Sequence, residues 1–160
     1  MRLLRSRLQR AVLAAACASA AHAGLMWLKT RSGVLPEFHP YDDLQLTIAS
    51  AIGAFIPESL LWTIAFLNGA LLVGFVFHRI CDVLPGESSI AKGLVFGVLA
   101  WAMMALVLFP LIGEGFFASA VGRGFLPALL SLAMLLVYGV TLSVIYSDLT
   151  KWRLLGPSED

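Results

Sequence analysis

Apolar residues in this chain gather into long uninterrupted blocks, with the charges confined to the short stretches between them. The chain opens with Arg2, Arg5, Arg7 and Arg10 and then carries no Asp, Glu, Lys or Arg from Ala11 to Leu28. Eighteen residues at about 1.5 Å each give roughly 27 Å, close to the ~30 Å hydrocarbon core of a bilayer. Three further blocks follow, over residues 60–78, 93–113 and 125–147. The pattern therefore predicts an all-α membrane-spanning four-helix bundle, with spans at about 11–28, 60–78, 93–113 and 125–147. Residues 1–155 form its single transmembrane domain, and residues 156–160 an acidic, frayed tail.

The intervening stretches predict how the spans connect. Gly33, Pro36 and Pro40 break any helix in the polar run from Lys29 to Tyr41. Leu44, Ile48, Ile52 and Phe55 then recur at helical spacing, interrupted by Gln45, Thr47 and Ser50. This segment, about residues 43–56, is too short to cross a bilayer and reads as a short interfacial helix in the first outer loop. Pro57 and Glu58 suit the first turn of the second span, where the missing N–H is not needed and a negative charge meets the positive dipole end. The turn DVLPGESS (residues 82–89) leads into the third span, and a glycine-rich link at Gly122, Arg123 and Gly124 leads into the fourth.

Composition supports the same class. Hydrophobic residues make up 59% of the chain and charged residues 13%, against roughly 45–50% and 25% in soluble domains. So few charges could not cover a water-facing surface. The net charge of +1 argues against a nucleic-acid partner, which calls for a clustered basic face. Orientation follows from Lys and Arg alone. Eight of them (Arg2, Arg5, Arg7, Arg10, Arg79, Lys92, Lys151, Arg153) lie on the side of the termini, and three (Lys29, Arg31, Arg123) on the other. This predicts a multi-pass protein of a bacterial inner (cytoplasmic) membrane with both termini cytoplasmic. Trp27 and Trp62 then fall near the outer interface and Trp152 near the inner one.

Ala21-His22-Ala23 before Gly24 also resembles a small-residue signal-peptidase site. Cleavage there would leave three spans. The stretch holds few large hydrophobes, and the apolar run continues through Leu25, Met26, Trp27 and Leu28, so retention is the reading preferred.

Helix packing in lipid relies on close backbone approach and buried polar contacts. Small residues stand at i, i+4 steps in Ala16, Ala20, Gly24, in Ala65, Gly69, and in Gly93, Gly97. These predict helix contacts within one bundle, with homodimerisation as the alternative. Pro110 removes a helical hydrogen bond to Leu106 and predicts a distortion of the third span. Asn68 lies mid-span and calls for a partner on another helix, because an unsatisfied amide in hydrocarbon is costly.

The candidate chemistry is sparse. His22 lies 12 residues beyond Arg10, about 18 Å along the first span by the helix rise, whereas His78 ends the second span and His39 falls in a loop. Two axial ligands must meet one iron, so these depths do not suit a bis-histidine haem. Ser19 and His22 share a helix face, but no carboxylate is positioned beside them as a membrane hydrolase would need. Cys17 and Cys81 lack metal-ligand spacing, and their depths do not suit a disulfide. Glu37, His39, Asp42, Asp43, Glu58 and Glu114 gather in the outer segments with Arg31 and Arg123. A cation or basic partner could meet them there, although solvated loops look the same. Glu58 and Glu114 near the span ends reach headgroups or water on this reading. No catalytic, cofactor-binding or metal-ligating residue is therefore assigned, and no cofactor is expected.

From Trp62 to Phe117, a Trp-led span with small residues is followed by LPGESS and then by KGLVFGVLAWAMMALVLFPLIGEGFF. With LMWLKTRSGVLPE upstream, this order resembles a family of small bacterial inner-membrane proteins of unknown function, loosely similar to YagU-like proteins. The resemblance covers roughly residues 10–145. It rests on Leu84-Pro85-Gly86, Lys92-Gly93, Pro110 and Gly113-x-Gly115-Phe116, all of them structural punctuation. It implies the four-span fold and no particular activity. The function expected is that of a non-enzymatic membrane protein acting through lipids, other membrane proteins or copies of itself. An accessory subunit of a respiratory or photosynthetic complex and a small oligomeric transporter are the alternatives.

Overall fold

The computed structural model describes the backbone of residues 2–36, 38 and 40–154, and the side chains of residues 7–36, 38, 40 and 42–151. Glu37, His39, the side chains of Arg2, Arg5, Trp152 and Arg153, and the tail at 156–160 lie outside these. Four helices are long and apolar enough to cross a membrane: Arg7–Ser32, Glu58–Ile80, Ser89–Leu111 and Leu126–Lys151. The first belongs to α1 (Arg2–Ser32) and the fourth to α7 (Leu126–Leu154). The second is α3 (Glu58–Leu67), a π turn (Asn68–Val73) and α4 (Gly74–Ile80) in continuous succession. The third is α5 (Ser89–Met103), a π turn (Met104–Leu108) and α6 (Phe109–Leu111). The short helix of the first loop is α2 (Pro40–Ile52).

The helices run past the uncharged blocks because local breakers end them, and charge does not. Ser88 caps α5, accepting from Ala91 N at 3.1 Å, four residues before Lys92. Gly113, at φ +85°, closes the third span. α2 starts earlier than residue 43, at Pro40, and ends at Ile52 because Gly53 adopts φ +67°, a left-handed stop that glycine takes without strain. Pro110 distorts the third span through the π turn just before it. The Phe109 N–H reaches back to Met104 O, and the widened turn makes room for the proline ring.

The first span packs against the second and the fourth, and the third packs along the fourth. The close approach of third and fourth is made by Gly93 and Gly97 facing Gly139. A Cβ on Gly93 would lie 2.6 Å from Gly139 O, and one on Gly97 2.7 Å from Leu135 O. The Gly93-x-x-x-Gly97 step therefore packs inside one chain, as expected. The first-span stripe differs from expectation. Gly24 faces open space and Ala20 is exposed, while Ala11, Ala14, Ala15 and Ala18 are fully buried. The contact row is Ala11, Ala15, Ser19, set against Gly74 and Gly69. The π turn makes this possible by bringing two glycines five residues apart onto one face.

Two apolar clusters fill the bundle. Near the termini, Ala14, Ala15, Ala18, Phe77, Phe96 and Leu142 pack together, with the Phe77 and Phe96 rings edge to face at 5.1 Å. At the opposite, capped end, Leu35, Phe38, Ala105, Phe109, Ile112 and Ala118 pack together. Lys92 Nζ closes the turn between second and third spans by donating to Cys81 O at 3.0 Å. Both cysteines are free thiols.

Candidate functional site

Between the two clusters the second and third spans enclose a chamber of about 400 Å³. All four spans and α2 contribute to its wall. Met104 and Leu108 come from the third span, Met134 and Leu135 from the fourth, and Phe38, Pro40, Leu44 and Ile48 form a lid. Ile64 and Phe66 of the second span also line it and are 47% and 40% exposed. The chamber is partly open, and these exposed lining residues lie in the apolar stretch of the second span.

A polar patch lies on the wall midway along the spans. Ser19 and His22 come from the first span, Asn68 and Gly69 from the second, and Tyr138 from the fourth. The Tyr138 hydroxyl donates to Gly69 O at 2.8 Å, which ties the fourth span to the π turn. His22 stands edge-on to Tyr138, ring centroids 6.3 Å apart, beside the Met134 main chain. Ser19 Oγ is pressed against Gly69 and adjoins the Tyr138 hydroxyl, but it has no hydrogen bond of sound geometry, nor has His22 Nδ1. Asn68 is exposed and makes no side-chain hydrogen bond among the described residues. The partner on another helix that its mid-span position called for is absent there. The π turn holds the amide on the chamber wall instead.

The lid is held by a buried polar cluster that the sequence did not reveal. Lys29 is 6% exposed, donates from Nζ to Phe38 O, and lies 5.5 Å from the Phe38 ring centroid. Glu114 is 4% exposed, so the expectation that it reaches headgroups or water is overturned. The turn through Gly113 and Gly115, both at positive φ, folds its side chain inward. Asp43 of α2 lies beside it, and Lys29 is near enough to act on it electrostatically. Burial first, and then Asp43, push the Glu114 carboxyl from 4.5 up to about 7, with Lys29 pulling the other way. A hydrogen bond between two carboxylates requires a shared proton. With both ionised, neither Glu114 oxygen has a donor.

The other candidates remain apart. Glu58 accepts from Trp62 Nε1 at 3.2 Å in an exposed position, and the Arg31 guanidinium lies 5.2 Å from the Trp27 ring centroid. His22 follows Ser19, which faces Gly69, whereas His78 follows Gly74, which faces Ala15. In antiparallel helices this register drives the two histidines apart. Among the described residues no group of three His, Cys, Asp or Glu could hold a metal ion. Ser19 and His22 share no hydrogen bond. Burial pushes the Cys81 thiol up, and Asp82 adds to the effect.

Fold and chamber together define a multi-pass membrane protein with a partly open, largely apolar interior chamber. No curated protein and no solved structure matches the chain. The chain belongs to the family of unknown function DUF6789, whose model matches residues 6–154. No named relative supports the finer likeness to YagU-like proteins.

Proposed function

We propose that this protein is a non-enzymatic bilayer protein that takes a single apolar, lipid-derived molecule into the chamber between its second and third spans. The partly exposed lining at Ile64 and Phe66, in the apolar stretch of the second span, carries the reading. An apolar cavity of about 400 Å³ falls within the ~300–1,000 Å³ of small-molecule sites. A mouth at these residues would meet the phase in which apolar ligands dissolve. No charged side chain among the described residues lines it. Of its two serines, Ser131 donates to Ala128 O and Ser19 is not engaged with His22. Both facts favour binding over chemistry. The setting proposed is a bacterial inner membrane with both termini cytoplasmic, as the bias of basic residues suggests.

The test is photolabelling in nanodiscs with a long-chain alkane bearing a diazirine. Label is expected on chamber residues such as Ala100 and Met104, and is expected to disappear when Ala65→Trp fills the cavity. Label confined to outward residues such as Leu71 and Leu72 would defeat the proposal.

A further inference from the structure

We infer that the chamber selects a neutral amphiphile, an apolar chain ending in a hydrogen-bond-accepting head such as a carbonyl, seated against Asn68 with the chain toward the lid. The inference rests on the proposed occupancy of the chamber and adds the chemistry of the occupant.

Asn68 stands ten residues from the start and twelve from the end of the second span, Glu58–Ile80. At that depth hydrocarbon offers no hydrogen-bond partner, and backbone and side-chain polar groups must find one within the protein or its ligands. Asn68 finds none among the described residues, although its amide carries two donors and an acceptor oxygen. Tyr138 does not serve it, because that hydroxyl is committed to Gly69 O. The π turn beginning at Asn68 sets the amide on the wall, and helical π turns concentrate at functional sites. His22, also on the wall, gives the head a second polar neighbour.

The charge of the head follows from what is missing around it. Among the described residues no Lys or Arg lines the chamber, and Lys29 is engaged with Phe38 O and with Asp42 and Glu114. A phosphate or carboxylate head would therefore lose its hydration without gaining a counter-charge. A neutral head loses little and satisfies the amide. From Asn68 the wall toward the lid is apolar, running past Met104 and Leu108 to Leu44 and Phe38, as a hydrocarbon chain requires.

The experiment is competition against the diazirine-alkane label by unlabelled hexadecan-2-one, hexadecane and palmitate at pH 8. The ketone is expected to displace label at about tenfold lower concentration than either of the others. Asn68→Leu, which keeps the number and branching of the side-chain heavy atoms while removing the amide, is expected to erase that advantage while leaving the potency of hexadecane unchanged. Leu71→Ala, on the outward face, is expected to preserve it. Equal potency of ketone and alkane, with label still mapping to Ala100 and Met104, would overturn the head assignment and leave chamber occupancy standing. Palmitate outcompeting the ketone would overturn the neutrality of the head. Absence of label from the chamber would remove both.

Discussion

A buried carboxyl, Glu114, is expected to make the stability of this protein depend on pH. Its carboxyl titrates at about 7 in the fold, above its ordinary 4.5, so the folded state holds the proton more tightly than the unfolded chain. Stability from this source is complete below about 4.5 and is lost as pH rises through about 7. Unfolding in detergent should therefore occur at lower temperature at pH 8 than at pH 5.5. Glu114→Gln should flatten that slope and leave the pH 8 protein more stable than the parent. Asp43→Asn should shrink the slope by removing the second carboxylate. A wild-type protein that is more stable at pH 8 than at pH 5.5 would contradict this account. None of it was legible in the sequence, where Glu114 sits beyond the apolar run of the third span and resembles any boundary carboxylate. The two positive-φ glycines that turn it inward act only in three dimensions.

At the scale of elements, close backbone approach decides which substitutions matter. A side chain at Gly97 or Gly139 must push against main-chain atoms of the facing span, which cannot rotate away. Gly97→Leu and Gly139→Leu should each cost at least the ~1–3 kcal/mol typical of overpacking, read as a lower unfolding temperature in detergent. Gly24, the end of the stripe Ala16, Ala20, Gly24, borders open space instead. Gly24→Ala should stabilise the protein by up to about 1 kcal/mol through helix propensity, and a loss there would restore the stripe as a packing face. Spacing identified small residues in the first span but chose the wrong row, because Ala16 and Ala15 differ by one position and 100° of helix rotation. The π turn at Asn68–Val73 shifts the facing register further, and apolar periodicity carries no sign of it.

For the whole molecule the open question is orientation across the bilayer, which the basic residues predict. Cys81 is 6% exposed and its thiol is pushed up by burial, so it makes a poor reporter. Val83, 79% exposed in the same turn, is the better site. In a Cys17→Ser, Cys81→Ser background, Val83→Cys should escape an impermeant thiol reagent on intact cells and react in inverted vesicles, and Ser32→Cys should do the reverse. Labelling of Val83→Cys from outside would invert the orientation. The first span supplies Ala11, Ala14, Ala15 and Ala18 to the core, so the intact mass should include residues 1–23. A mass beginning at Gly24 would mean that the bundle loses one wall of its chamber.

The sequence by itself determined the class and the number of helices long and apolar enough to span a bilayer. Membrane insertion is governed by segment length and hydrophobicity, which are local sums over consecutive residues. It also showed the presence of a short amphipathic helix after the first span and the glycine step of the third. Tertiary structure alone decided that Lys29 and Glu114 are buried beside Asp43, that Asn68 faces a chamber without a partner helix, and that α2 covers that chamber. Each of these depends on which faces of separate helices meet, and in a chain apolar on all sides hydrophobicity no longer marks the inward face. That choice falls to backbone shape, set here by glycines, π turns and positive-φ corners.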